Sequence, residues 1–194
     1  IEVQSEKDKM KDVASSYRDS KANLNEALFS EFEDYLEKWD ASITTNNAIV
    51  FHSPNVLFKV NKSDINNEFK TILDEFFPRY IKILNSKQYK DEIEEVRVEG
   101  HTSNIWGTTT SKKDIYLKNM RLSQERAYEV LAYCYSLEDD FVKQNRVWIE
   151  KYFRANGMAF AKLKDRTKAR RVEFVIQMKS EDKVYEILKI TPSN

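Results

Sequence analysis

Four residue types are scarce in these 194 residues: there is one cysteine, and there are two histidines, three glycines and three prolines. A single cysteine excludes an internal disulfide framework and any zinc site built from several thiolates. Two histidines, His52 and His101, leave little for a histidine-rich metal centre. Glycine falls far below its usual share of about 7%, so each one should mark a place where the backbone needs it. Neither sign of charge is in excess, because 32 Lys and Arg stand against 32 Asp and Glu. That balance argues against a chain whose main task is to hold a polyanion. No run approaches the ~18 uninterrupted apolar residues of a membrane span, and no basic-then-apolar start reads as a signal peptide. The first residue is Ile1 and not Met, so the expectation is a fragment or processed form, with a targeting or membrane segment upstream left open.

What is present suffices for a core. Hydrophobic residues make up 41% and aromatics 12%, well outside disordered composition, and the length accommodates one sizeable core. The longest helical pattern covers residues 8–40, where Val13, Tyr17, Leu24, Leu28, Phe32, Tyr35, Leu36 and Trp39 recur at steps of three and four. It fits either an amphipathic helix packed on a domain or a stalk or dimerising helix, since the spacing runs near heptads. Residues 48–51 read as a buried strand, and residues 53–63 as a loop around Leu57 and Phe58. Ser63 or Asp64 can cap a helix faced by Ile65, Phe69, Ile72, Leu73, Phe76 and Tyr80, which Pro78 should kink or end. Val96, Val98 and Gly100 alternate with Arg97, Glu99 and His101 as a strand, and residues 102–118 are polar and turn-rich. Leu122, Ala127, Val130, Leu131, Cys134 and Leu137 form a helix face, with Cys134 as a buried small hydrophobe. Trp148, Ile149, Tyr152 and Phe153 form another, with Asn156-Gly157 as its stop. Val172, Phe174, Ile176 and Met178 mark a strand, and Tyr185, Ile187 and Leu188 a last short element. The alternation predicts an α/β (α+β) sandwich with helices covering a sheet.

Three segments carry candidate chemistry. In Asn119-Met-Arg-Leu122-Ser123-Gln-Glu-Arg126-Ala127, Ser123 reads as a helix N-cap that places Arg126 in the first turn. A guanidinium beside unsatisfied N–H groups would receive a carboxylate or phosphate; the alternative is that Arg126 pairs with a nearby acid. Glu99-Gly100-His101-Thr102-Ser103 closes a strand with a glycine and small polar residues, which allows close approach to the backbone. Arg166, Lys168, Arg170 and Arg171 form a basic cluster leading into the last strand, or simply a solvated loop.

In order and spacing these segments resemble the OmpA-like peptidoglycan-binding domain found in outer-membrane proteins, Pal lipoproteins and MotB-type subunits. Asn119, Leu122, Ser123, Arg126, Ala127 and Val130 match the family pattern N-x-x-L-S-x-x-R-A-x-x-V throughout. Gly100-His101-Thr102 matches G-H-T-D except that Ser103 replaces the aspartate. Arg166 and residues 170–173 match R-x-x-N-R-R-V-E except that Ala169 replaces the asparagine. Lys59 stands where the family often has an aspartate. The resemblance covers residues 46–178 and implies a βαβαβ core with a mixed sheet, behind a long N-terminal helix. It implies a site of Thr102, Ser103, Asn119, Leu122, Arg126, Arg166 and Arg170 for the diaminopimelate of the peptidoglycan stem peptide. Arg126 would hold a carboxylate, and Ser103 could not supply the charge that the missing aspartate gives the ammonium unless another acid such as Asp114 reached it. No catalytic residue, cofactor or metal is implied.

Residues 76–80, 99–107 and 119–124 further resemble an inner-membrane subgroup that includes the wall-binding subunits of Zorya-type anti-phage systems. That resemblance implies a periplasmic domain anchored in the inner membrane by a segment outside this chain, a homodimer, and a MotA-like channel subunit as partner. The expected division is residues 1–45 as helical linker or stalk, 46–180 as the binding domain and 181–194 as an extension. Alternatives are an outer-membrane-associated structural member with weak or no peptidoglycan binding, a hydrolase using His101 and Ser103, and a nucleic-acid binder using Lys162, Lys164, Arg166, Lys168, Arg170 and Arg171. The hydrolase lacks a third group, and the nucleic-acid reading lacks a motif and a net positive charge.

Overall fold

The N-terminal apolar spacing produces one 35-residue helix, α1 (Glu2–Leu36), in the computed structural model, which describes residues 2–52, 54–59, 61–109, 111–162 and 168–179. The two halves of α1 differ. Leu24, Leu28 and Phe32, one turn apart, are fully buried, whereas residues 4–16 contribute nothing to the core cluster. A turn then leads into the hairpin of β1 (Ala41–Ile43) and β2 (Ile49–Phe51). Asn47 closes that hairpin with a left-handed φ of 64°, and its buried amide fastens the turn to α1. Its Nδ2 donates to the Lys21 carbonyl at 3.0 Å, and its Oδ1 accepts from Asn25 Nδ2 at 2.7 Å.

After the single turn α2 (Pro54–Leu57) come α3 (Asn67–Leu84), β3 (Ile93–His101), α4 (Lys112–Tyr135), α5 (Asp140–Gln144), α6 (Arg146–Tyr152), β4 (Phe153–Gly157) and β5 (Arg171–Met178). The five strands form one mixed sheet in the order β1-β2-β5-β3-β4, with only β3 and β4 parallel. The expected α/β sandwich and its long N-terminal helix are therefore present. Phe76 on α3 is the centre of the core. Its ring lies 5.1 Å from Phe174 on β5, 5.2 Å from both Phe51 on β2 and Phe32 on α1, and 4.8 Å from Tyr80. Edge-to-face and offset pairs of this kind add about 0.5–1.5 kcal/mol each beyond the area they bury.

Leu24, Leu28, Phe32, Trp39 and Ile43 share one core with the residues that follow. Several local expectations are overturned. Asn66, not Ser63 or Asp64, precedes α3 as its N-cap. Pro78 lies inside α3, which continues for six residues with Tyr80, Ile81 and Leu84 buried. The cost of interior proline, ~3 kcal/mol, is offset by burying three such side chains at ~1.5–3 kcal/mol each. Asn156-Gly157 ends a strand and not a helix. Residues 153–157 pair in parallel with β3, and Gln124 of α4 satisfies the outward edge: its Oε1 accepts from Gly157 N at 2.7 Å and its Nε2 donates to the Ala155 carbonyl at 3.1 Å. The element expected around Tyr185, Ile187 and Leu188, and the 181–194 extension, lie outside the described residues.

The alternation that turns Val98 and Phe174 toward the helices sends Glu99, His101, Arg171 and Glu173 to the opposite face, where all four are buried. Glu99 sits opposite Glu173 and His101 opposite Arg171. Arg171 Nε donates to Glu173 Oε1 at 2.5 Å, Arg97 donates to Glu99 at 3.3 Å, and His101 Nε2 lies 3.2 Å from Glu99 Oε2. Burial alone would raise the Glu99 carboxyl, but the His101 hydrogen bond, Lys162 and Arg97 outweigh it and hold it below the ordinary range. The other guanidinium nitrogens of Arg171 donate to the carbonyls of Lys168, Ala169 and Lys162, so one side chain neutralises the sheet and ties down the segment before β5.

Two outcomes follow from this packing. Removing residues 1–20 leaves the cooperative thermal transition in place, whereas removing residues 1–45 strips Leu24, Leu28, Phe32 and Trp39 from around Phe76 and abolishes it. An equally sharp transition in the longer truncation would show that α1 is dispensable. Arg171→Leu leaves Glu173 buried without its counter-ion and costs about 3–5 kcal/mol in denaturant titration; a loss under 1 kcal/mol would contradict the neutralising role.

Candidate functional site

The site begins with two glycines. Gly100 of β3 and Gly157 of β4 are register partners, and α4 crosses directly over them. A Cβ on Gly100 would lie 2.2 Å from the Ser123 carbonyl oxygen, and one on Gly157 2.6 Å from the Gln124 nitrogen. Neither position accepts a side chain without moving the helix backbone. The third glycine, Gly107, takes a left-handed φ of 52° in the loop between β3 and α4.

The strand ends thus press against the middle of α4, not its start. Ser111 is the N-cap, its side chain accepting from Asp114 N, and Ser123 is a full three turns inside. The expected N-terminal cradle for Arg126 is therefore absent: the helix start lies 15 residues away, about 22 Å along the axis at 1.5 Å per residue. Asp114, in that first turn and exposed, is about 18 Å from Arg126 by the same rise. Ser123 instead works as a clamp. Its hydroxyl donates to the Met120 carbonyl at 2.9 Å and accepts from Ala159 N at 3.0 Å, while the Ala159 carbonyl accepts from Thr102 N at 2.8 Å. Ala159 holds a left-handed φ of 44°, fixed by bonds at both its N–H and its carbonyl.

Asn119, Leu122, Ser123 and Arg126 follow one another at i, i+3, i+4 and i+7, so they share one helix face, and all are buried. Asn119 Nδ2 donates to the carbonyls of Ile115 at 2.9 Å and Ile105 at 3.3 Å, which stitches the loop after β3 to the first turns of α4. Thr102 is buried with no hydrogen-bond partner for its Oγ1 among the described residues, and Ser103 beside it is half-buried. Arg126 is only 6% exposed. Its Nε donates to the Lys62 carbonyl at 2.9 Å, and its guanidinium lies 4.7 Å from the centre of the Phe58 ring.

No carboxylate pairs with Arg126 among the described residues. Its pKa is pushed down to about 10, first by burial and then by repulsion from the neighbouring Arg170, which is exposed. The guanidinium is still charged at neutral pH. The alternative in which Arg126 is occupied by a nearby acid has no described partner to support it. Arg166 lies outside the described residues. Phe58, Lys62 and Ala159 were not among the expected site residues; Phe58 was legible as an apolar anchor in its loop, but nothing in the local pattern around Ala159 signals its clamp.

Two other chemistries fare poorly. Glu99, His101 and Glu173 offer ligand atoms within 4.8 Å of one another, but Arg171 and Arg97 already hold the two carboxylates, so the cluster is a charge-balanced network. The hydrolase alternative needs His101 beside Ser103, yet His101 is 1% exposed and its Nε2 faces Glu99. Among the described residues no helix is long and apolar enough to cross a membrane.

Comparison with known proteins identifies the family and the fold. A model of the OmpA family matches residues 57–172. Zorya protein ZorB of Escherichia coli is 37% identical over 195 residues, spanning 96% of this chain and 81% of that protein. Two solved structures share the fold at lower identity. A MotB-like protein from Desulfovibrio vulgaris aligns over 88% of this chain and 99% of its own, with 17% identity and a TM-score of 0.54. The cell wall anchor of the T6SS from Pseudomonas aeruginosa aligns over 78% and 97%, with 20% identity and a TM-score of 0.50. None of these relatives is named for a catalytic activity, and by both the family pattern and its cross-strand and helix geometry the chain belongs to the OmpA family.

Proposed function

We propose that this chain is a non-catalytic cell-wall anchor that binds peptidoglycan by receiving a stem-peptide carboxylate, that of diaminopimelate, on Arg126. The observation that carries the reading is the buried guanidinium without a described counter-ion, with Arg170 adding a second positive charge beside it. A buried, uncompensated cation costs stability, and an arriving carboxylate restores a charge-assisted hydrogen bond worth about 1.5–3 kcal/mol. Thr102 and Ser103 form the neighbouring rim, Asn119 and Leu122 shape it from α4, and Arg170 raises the local positive potential; Arg166 belongs to the same proposal by its position in the motif. The similarity to ZorB supports a place in an anti-phage membrane complex, with a MotA-like subunit as partner and the domain on the periplasmic side of the inner membrane.

The pH dependence has a definite sign. The Arg126 pKa is lower in the folded chain than in the unfolded one, so its penalty is fully present below about 10 and is relieved as pH rises from there toward the ordinary arginine range. Carboxylate binding is therefore constant through neutral pH and lost above about 10. Arg126→Met removes the charge while keeping apolar volume, so its melting midpoint is equal to or above that of the parent chain while retention on purified sacculi is abolished. Ser103→Asp, which restores a negative charge to the rim, strengthens retention about tenfold, the equivalent of one charge-assisted bond in place of a neutral one. Unchanged retention of the Arg126→Met chain would sink the proposal.

A homodimer forms part of the same reading, with the N-terminal half of α1 as its contact, because Met10, Val13 and Tyr17 continue the apolar spacing outside the fully buried core. Light scattering of the chain with and without residues 1–20 gives twice the monomer mass only for the longer form; equal masses would remove α1 from the contact.

A further inference from the structure

The residues between α2 and α3 bring two groups against Arg126 from one bonded segment. Phe58 bridges Ile65 in antiparallel register, Asn66 N donates to the Leu57 carbonyl at 3.0 Å, and Lys59 N donates to the Asp64 carbonyl at 3.3 Å. Lys62 N donates to the Lys59 carbonyl at 3.1 Å, and Asn61 holds a left-handed φ of 55°. The Lys62 carbonyl in turn accepts from Arg126 Nε at 2.9 Å, and the guanidinium lies over the Phe58 ring, 4.7 Å from its centre. Phe58 is itself fixed, because it is buried and its ring meets Phe69 of α3 edge-on at 6.1 Å. A guanidinium has two edges that can grip a carboxylate with paired bonds, one made by Nε with an Nη and one made by the two Nη atoms. The bond to Lys62 occupies the first edge, and the ring lies against one face of the plane. No described residue bonds either Nη, so the end formed by those two nitrogens is what remains.

We infer that Phe58 and the Lys62 carbonyl are positioning groups, which together hold the Arg126 guanidinium so that its two Nη atoms meet both oxygens of a carboxylate end-on. The inference rests on the reading of Arg126 as the carboxylate receptor, and it adds that the side chain is oriented before the ligand arrives. An arginine free in water gives up its rotamer freedom when it binds; this one has given it up on folding. Exclusion of water from the buried pair also strengthens the attraction between cation and ring. The site therefore meets its ligand with a fork already aimed, and the segment that aims it touches the arginine alone in this scheme.

Two pairs of substitutions test the two groups separately. Phe58→Met keeps apolar volume and loses the ring, whereas Phe58→Tyr keeps the ring and adds a hydroxyl at a buried position. Packing alone ranks Met above Tyr; positioning ranks Tyr above Met. Titrated with a diaminopimelate-containing tripeptide, Phe58→Met binds about three- to tenfold more weakly than the parent chain, while Phe58→Tyr stays within about twofold of it. On the carbonyl side, Asn61→Val puts a β-branched residue at positive φ and displaces the turn that presents Lys62, with a loss of similar size. Asn61→Gly accepts that φ and keeps the parent affinity. Asn61 is exposed, so neither change enters the core, and thermal midpoints report that each variant is folded. Parent-level affinity in folded Phe58→Met, or a loss in Phe58→Tyr as large as in Phe58→Met, overturns the assignment of Phe58. Parent-level affinity in Asn61→Val overturns that of the Lys62 carbonyl. Both results leave the parent chain binding sacculi and tripeptide; failure of the parent on both ligands overturns the proposed function instead.

Discussion

Everything at the candidate site depends on how closely α4 approaches the sheet. Gly100 and Gly157 stand side by side on parallel strands, and the backbone of Ser123 and Gln124 occupies the space where their side chains would be. Because contact is made by main chain, its geometry cannot be relaxed by choosing another rotamer. It fixes the height and rotation of α4, and with them the direction of Asn119, Leu122 and Arg126 on the same face. It also explains the two hydrogen-bonding clamps beside it. Ser123 reaches Ala159, and Gln124 reaches both Ala155 and Gly157, only because the helix is this near. A chain with three glycines has placed two of them at one contact.

The fold keeps its charges in two different conditions. On the face of the sheet away from the helices, Glu99 and Glu173 are matched by Arg97 and Arg171, so the carboxylates are charge-balanced. In the middle of α4, Arg126 is buried with a carbonyl and an aromatic ring but no described acid, and a second arginine, Arg170, repels it. The first arrangement stabilises structure by removing cost, and the second retains cost. A core organised around Phe76, joining α1, α3, β2 and β5, is large enough to tolerate it. That difference is the ground on which Arg126, and not Arg171, is proposed to receive a ligand.

Which parts of this were legible in the sequence follows from where the physical signal lies. β3 and β5 are central strands with one apolar face, and the alternation at Val96–Val98 and Val172–Met178 shows them plainly. β4 is an edge strand of five residues in which only Phe153 is fully buried, and its Asn-Gly end imitates a helix stop. The start of α4 was missed for a related reason. Residues 112–118 are held mainly by the Ser111 cap and helix propensity, with Tyr116 and Leu117 exposed, so no periodicity announces them. Ser123 then looked like a cap because serine is common there, whereas its hydroxyl is engaged by a residue 36 positions away. Arg126 is identified by its motif, but its electrostatic state is not: the motif suggests a helix N-terminus, and the position is a buried one mid-helix with no acid among the described residues. Local patterns report propensity and one-sided burial, and they carry no information on which distant backbone will close a hydrogen bond.

The departure at Ser103 takes on a different meaning in this setting. Loss of an acid from a rim normally removes one attachment point for a ligand with both charges. Here the loop that follows exposes Ile105, its backbone held by Asn119 and its turn permitted by Gly107. Binding free energy can be gained from a charge-assisted bond or from apolar area, and the two differ in what they select. A carboxylate at Ser103 would read an ammonium, whereas exposed apolar area reads shape and no charge. On the proposed reading Arg126 still selects a carboxylate, so relaxing one end of the site need not make it indiscriminate. The charge that remains would then set where a ligand is gripped, and the surface beside it how much of that ligand is covered.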